Sequence, residues 1–430
     1  MRDLLAARTQ MAWSLGFHII FAEIGVALPL LMVLAEWRWQ RTGEDVYLHL
    51  AKRWAKGSAI LFAVGAVSGT VLSFELGLLW PRFMQLAGPI IGMPFSLEGF
   101  AFFTEAIFLG VYLYGWGRIS DRAHLVAGVI VALSGAASAA FVVAVNAWMN
   151  TPTGMTLAFG RMVSIDPIAG MLNPSTFHQA LHMLLAAYAA TGIAVAGIHA
   201  IVVLRGHDND FHRRAITIAL MMGAPAAVLQ PLSGDLSARS IAQSQPVKLA
   251  ALEGQFATER GAPLRIGGIP DADAGRTRFA IEIPRGLSLL AFHDPNAEVR
   301  GLNAVDRSLW PPLRPVHFGF QIMVGLGTIM ALVSLWMIVT VIRKRSLFEN
   351  RWRLRALALI APFGFIATEA GWTVTEVGRQ PWAVQGVLRT ADAVTPMPGL
   401  VFPMLLFAIL YVGLGAIVLV LITSLVKETA

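Results

Sequence analysis

Residues 95–117, FSLEGFAFFTEAIFLGVYLYGWG, decide the fold class. The run is apolar throughout apart from Glu98, Glu105 and a few small polar residues. A hydrocarbon core ~30 Å thick needs roughly 20 such residues in a helix. Eight further runs of this kind lie at 12–36, 54–80, 125–149, 177–204, 214–233, 316–343, 352–375 and 399–426. The run at 214–233 is interrupted by Pro225 and Pro231, which membrane helices tolerate when their neighbours satisfy the freed backbone groups. Composition agrees, with 56% of residues hydrophobic and 14% charged, against about 25% charged in soluble domains. The expected fold is an all-α integral membrane protein of nine transmembrane helices. Arg2 and Arg8 precede the first run without a small-residue cleavage site, so that run is read as a retained helix and not a signal peptide.

Lys and Arg set the orientation. Arg38, Arg41, Lys52, Arg53 and Lys56 follow the first run, and Arg118 and Arg122 the third. Arg205, Arg213 and Arg214 follow the fifth, and Arg343, Lys344, Arg345, Arg351, Arg353 and Arg355 surround the start of the eighth. The short loops on the other side hold only Arg82, Arg161, Arg379 and Arg389. The positive-inside rule places the N-terminus outside and the C-terminus in the cytoplasm. A net charge of +7 is thereby accounted for by loop residues, and no basic stripe suited to nucleic acid is visible. Absence of cysteine excludes disulfides, thiolate metal sites and thiol catalysis. Residues 1–430 read as one transmembrane domain, with a polar external loop at 234–312 inserted between the sixth and seventh helices. Within that loop Phe279 to Pro284 alternates like a short strand.

An ionised side chain in the hydrocarbon core costs at least ~2.5–3.5 kcal/mol, so it needs a partner, a cavity or a metal. This chain places His18, Glu23, Glu75, Glu98, Glu105, His178, His182, His199, Glu369 and Glu376 within its apolar runs. Neutral imidazole at His18 suits a haem iron. His178 and His182, four apart, share a helix face; the pair suits one shared metal, and equally His182 alone suits a ligand role. Met323 lies one to two turns into its helix, at a depth similar to His182, and a His/Met pair across two helices is one way to hold a low-spin haem. Glu98 and Glu105 lie about 10 Å apart along one helix face, which suits a proton relay or a pair of neutral, hydrogen-bonded acids. The densest polar cluster runs Glu369-Ala-Gly-Trp372-Thr-Val-Thr-Glu376-Val-Gly378-Arg379-Gln-Pro381-Trp382. Arg379 there suits either haem propionates or an interfacial anchor.

At this cluster the chain resembles subunit I of the cytochrome bd-type quinol oxidases, of the short Q-loop kind, some members of which are called cyanide-insensitive oxidases and lack the usual haem d spectrum. Gly378-Arg379-Gln380-Pro381-Trp382 is the most specific motif. Others follow in family order over the whole chain: Phe17-His18, Leu97-Glu98-Gly99, Phe102-Phe103-Thr104-Glu105, Val145-Asn146-Ala147-Trp148-Met149, Lys248-Leu-Ala-Ala-Leu-Glu253, Gly268-Ile-Pro-Asp271, Phe279-Ala-Ile-Glu-Ile-Pro284 and Gln321-Ile-Met323.

The resemblance implies a terminal oxidase that oxidises ubiquinol or menaquinol at the outer face and reduces dioxygen to water, separating charge without pumping. It implies His182 and Met323 as axial ligands of a low-spin haem b. It implies His18 and Glu376, with Glu98, as iron ligands of a high-spin haem b and a haem d, or a haem b in its place. Arg379, Asn146 and Arg8 are expected beside these cofactors. Glu98 and Glu105 are expected on the proton route, Trp372 near the haems, and Lys248 and Glu253 at the quinol. The implied partners are subunit II, small accessory subunits and membrane lipid, in a bacterial cytoplasmic (inner) membrane. One departure stands out. The family often has Arg where this chain has Gln321, which is expected to alter the potential of the low-spin haem. Two other classes compete: a di-haem electron carrier without oxygen chemistry, and a proton-coupled transporter. Oxygen consumption separates the first, and the inverted repeats typical of the second are not visible.

Overall fold

The computed structural model describes residues 2–158 and 161–427. Among them, nine helices are long and apolar enough to cross a membrane. They are α1 (Arg2–Thr42), α2 (Asp45–Leu79), α3 (Pro81–Tyr114), α4 (Asp121–Asn150), α6 (Thr176–Leu204), α7 (Asp210–Ser244), α10 (Leu313–Ile342), the α11–α12 pair (Arg351–Ile360 and Phe363–Val377) and α14 (Val401–Lys427). The short α5 (Pro167–Met171) and the hairpin β1–β2 (Met155–Ala158, Arg161–Ile165) lie between α4 and α6. A small sheet, β9–β10 (Trp382–Val384, Leu388–Arg389), and α13 (Thr390–Ala393) follow α12.

Each expected run lies on a helix; the third stops at Tyr114 and not 117, the ninth starts at Val401 and not 399, and most helices extend beyond their runs at one end or both. The eighth breaks at Ala361–Pro362, where proline removes an N–H and crowds the preceding turn. Pro225 and Pro231 stay inside α7. That helix runs on to Ser244, so the polar segment expected from 234 begins about three turns later than its composition suggests. Ser233, Ser237 and Ser244 each donate a side-chain hydrogen bond back to a carbonyl three or four residues earlier, which lets a polar stretch remain helical.

Small residues bring the central helices together. A Cβ on Gly192 of α6 would lie 2.6 Å from the Gly223 backbone of α7, and one on Gly364 would lie 2.4 Å from the Ala190 backbone. Without a hydrophobic drive inside lipid, this close van der Waals approach holds helices together. A core of α1, α2 and α3 residues surrounds Leu31, Met32, Leu50 and Tyr112. By contrast α14 is mostly exposed, touching α1 through Tyr411, whose ring centroid is 4.8 Å from that of Phe17.

Residues 246–312 form a folded layer between α7 and α10. It opens with α8 (Pro246–Glu253) and ends before α10. Between them are β3 (Glu259–Arg260) with β8 (Glu298–Val299), β4 (Leu264–Ile266) with β7 (Ile281–Ile283), β5 (Ile269–Asp271) with β6 (Arg276–Arg278), and the short α9 (Gly286–Phe292). The expected strand near 279–284 is β7.

Candidate functional site

Three histidines on the transmembrane helices are wired alike. His18 Nδ1 lies 2.9 Å from Ser68 Oγ on α2, and that hydroxyl donates to Val64 O at 2.9 Å. A hydroxyl has one hydrogen, so Ser68 must accept from the ring. Nδ1 therefore carries the proton, and the Nε2 lone pair is left for a ligand role. His182 repeats this on α7: its Nδ1 is 2.9 Å from Ser233 Oγ, which donates to Gln230 O. Gln230 Nε2 stands 3.2 Å from His182 Nε2 and 3.3 Å from Nδ1, and donates to His182 O at 3.1 Å. His178 does the same with Ser237 at 3.1 Å. Each ring has its own serine, and no group of three or more His, Cys, Asp or Glu comes together among the described residues.

Glycines make room for these groups. A Cβ on Gly69 would lie 3.0 Å from His18 Cε1, one on Gly234 3.4 Å from His182 Cε1, and one on Gly371 3.0 Å from Met323 Sδ. Met323 thus packs on α12 while His182 packs on α7.

A second constellation joins the end of α12 to α8. Arg379 donates to Glu376 Oε2 at 2.5 Å, and Glu376 Oε1 accepts from Asn146 of α4. Asn150, one turn on, donates to Asn146 Oδ1 at 3.1 Å and accepts from Lys248 Nζ at 3.2 Å. Lys248 also donates to Thr375 O at 3.2 Å. Five polar side chains therefore form one hydrogen-bonded chain from α8 to Arg379. Arg379 is 2% exposed, and its Nε and Nη1 find no partner among the described residues. A buried guanidinium with open donors suits an anionic group held beside it.

The acids fall into separate places. Glu98 accepts from Ser138 of α4 at 3.3 Å, and the Glu105 carboxyl packs over Gly135 one turn along the same face. Glu23 accepts from Thr368 at 2.8 Å, next to Glu369, whose carboxyl lies over Gly16. Glu75 accepts from Gln10 and Ser14, both at 2.9 Å. Trp372 and Arg8 are half-buried on α12 and α1.

Lys248 and Glu253 face different surroundings on α8. Burial brings the Lys248 ammonium down to about 7, helped by the Arg379 charge and opposed by Glu376. Burial pushes the Glu253 carboxyl up to about 8, against a smaller pull from Arg265. Its Oε2 is buried without a partner. Two groups poised near neutrality on α8 suit proton exchange.

Sequence reasoning missed Ser68, Ser233, Gln230 and Asn150. Small polar residues in an apolar helix look like filler, and only their pairing across helices gives them a role. The donor set fits haem. A bare ion would need three or four protein donors, which are not assembled here, whereas a porphyrin supplies four nitrogens and leaves one or two axial positions for single side chains. His18, His182, Met323 and Glu376 are such single donors, and Arg379 has open N–H groups for a propionate.

Comparison with known proteins agrees. Residues 6–430 match the family model described as cytochrome bd terminal oxidase subunit I. A Bacillus subtilis protein provisionally named cytochrome bd menaquinol oxidase subunit I is 39% identical over 425 residues, covering 97% of this chain and 95% of the relative. Subunit 1 of a cytochrome bd ubiquinol oxidase of the same organism is 31% identical, covering 100% and 95%. The solved bd oxidase of Geobacillus thermodenitrificans superposes with a TM-score of 0.93 at 38% identity, covering 100% of this chain and 99% of that one.

Proposed function

Because this chain belongs to the cytochrome bd terminal oxidase subunit I family, we propose residue roles for it as the haem-carrying subunit of a quinol:oxygen oxidoreductase. It is a multi-pass membrane protein that oxidises quinol and reduces dioxygen in a respiratory chain. His182 and Met323 hold a low-spin haem b. His18 and Glu376, with Glu98 as a further ligand, hold the high-spin pair: a haem b and a haem d, or a second haem b in its place. When bound, these haems carry the electrons and the reduction of oxygen.

The remaining work belongs to the chain's own residues. Glu253 takes a proton from the quinol hydroxyl as the quinol is oxidised. Lys248, held by Asn150 and Thr375, donates a hydrogen bond to the quinol oxygen and fixes its position. Arg379 and Arg8 bind propionates, Asn146 and Arg379 orient the Glu376 carboxylate, and Trp372 walls the site against water. Glu105 and Glu98, on one face of α3, pass protons inward to the oxygen site. With the N-terminus and the 246–312 layer outside, protons leave outside and are consumed from within. The chain pairs with subunit II, and small accessory subunits join it, in the bacterial inner membrane; its mostly exposed α14 is one surface open to lipid or to such partners.

The single observation that carries the haem assignment is the tautomer lock on His18 and His182. Removing an outer hydrogen-bond partner of a ligating imidazole typically costs ~10–100-fold in affinity or activity. Ser233→Ala is expected to deplete the low-spin haem selectively, and Ser68→Ala a high-spin one, read as haem content and optical bands of the purified complex. Both variants retaining full haem content would contradict the assignment.

A further inference from the structure

The external layer between α8 and α10 has two faces. Leu249, Ala262, Leu287, Ala291 and Val299 form its buried core. On another face, Ile266 and Ile281 pair across β4 and β7 at 49% and 68% exposure. Ile269 on β5 is exposed beside them, and Phe279 is 88% exposed at φ +59°. A left-handed backbone at a bulky aromatic residue is strained. Water offers no compensation for holding four large apolar side chains outward in this way.

The position of this face is fixed by α10. Gln321 Oε1 accepts from Gly267 N–H at 3.0 Å, and its Nε2 donates to Arg265 O at 3.1 Å. The Gln321 amide thus pairs with the free edge of β4 as a neighbouring strand would. One turn earlier, His317 is fully buried, its ring nitrogens 2.7 Å from Leu252 O and 3.1 Å from Gly267 O. The β4–β5 connection at Gly267–Gly268 is therefore pinned about 12 Å along the helix from Leu313, where the apolar part of α10 has already begun. Phe318 and Ile322 form the adjoining stripe on α10, and both are exposed. The apolar strand face thus lies beside an exposed apolar stripe of a helix long and apolar enough to cross a membrane.

We infer that Ile266, Ile269, Phe279 and Ile281 form a lip of the external layer that rests in the lipid leaflet beside α10. Sheet edges do not enter the hydrocarbon core, so the lip lies at the boundary of headgroups and acyl chains, as interfacial apolar faces do. Arg276 on β6 is exposed near Phe279 and suits a lipid phosphate, while Arg278 beside it is paired with Asp271 at 2.6 Å. The lip keeps α8, with Lys248 and Glu253, against the leaflet that supplies a lipid-soluble quinol. This last consequence rests on the quinol reading; the lip itself rests on the membrane reading of α10.

The test uses the complete haem-loaded complex in phospholipid nanodiscs, without turnover. The chain has no cysteine, so Phe279→Cys, Ile281→Cys and Asp273→Cys each accept one nitroxide label when the partner subunits are also cysteine-free. Asp273 is the aqueous control, its side chain 97% exposed. An unchanged haem spectrum certifies each labelled protein as folded. The expected result is that labels at 279 and 281 collide more with oxygen than with a water-soluble nickel chelate, and the label at 273 the reverse. Labels at 279 and 281 as nickel-accessible as that at 273 would overturn the inference. Labels shielded from both reagents would overturn it as well, because the face would then be covered by protein. Because the readout needs no quinol, a failed lip and a failed quinol site are told apart.

Discussion

His182→Ala is expected to abolish the low-spin haem signal and to reduce quinol oxidation to background. The ring is the only histidine ligand assigned to that haem, and alanine leaves a thioether, Met323, to hold it alone. Neither Ser233 nor Gln230 can replace the imidazole, since a hydroxyl and an amide are weak iron ligands. The loss should exceed the ~10–100-fold effect of removing Ser233. His18 on α1 and Glu376 on α12 are held by separate partners, Ser68 and Asn146. The carbon-monoxide-reactive component of the spectrum should therefore survive in the variant. Optical spectra and haem content of the purified complex check both halves. A His182→Ala protein with an intact low-spin signal would remove His182 from the ligand set and point to His178, which is wired to Ser237 in the same way.

The second large effect concerns Glu253. Burial raises its carboxyl to about 8, so at pH 6 or 7 it is mostly protonated and cannot accept a proton from quinol. The productive form is the carboxylate, so kcat/KM for quinol is expected to climb about tenfold per pH unit below about 8 and to level off above it. Lys248, brought down to about 7, loses its charge within the same range, yet the neutral amine still donates a hydrogen bond. Glu253→Gln keeps the shape and removes the base. It should flatten the profile and lower kcat/KM by ~10²–10⁴-fold at pH 8, the usual contribution of a positioned base. Oxygen uptake at varied quinol and pH measures this. A Gln variant that keeps the parental slope would assign the titration to another group.

Much of the architecture was legible in the sequence because lipid demands long apolar helices, and runs such as 125–149 and 316–343 meet that demand visibly. The boundaries were less legible. The stretch 234–244 is polar in composition yet helical, held by serine bonds to its own backbone that hydropathy does not register. The motif around Glu376 and Arg379 was legible because several uncommon residues sit together in an apolar setting. The wiring was not. Asn150 reads as an ordinary helix end, but it carries the hydrogen bond from Lys248 toward Glu376. Ser68 and Ser233 read as filler, but they fix the histidine tautomers. Gln321 was legible only as a missing arginine near the haem. In the fold its amide binds the backbone at Arg265 and Gly267, a role that depends on a loop more than fifty residues earlier in the chain and has no local signature.

The most direct test of the central claim is a reduced-minus-oxidised optical spectrum of the purified complex, recorded with and without carbon monoxide. The account predicts a low-spin b-type signal unaffected by carbon monoxide together with a high-spin component that shifts on binding it. A red, chlorin-type band would identify the haem d, and its absence a b-type replacement. A folded, complete complex with no haem signal would contradict the assignment and return the buried acids on α3 to a proton-coupled transport role.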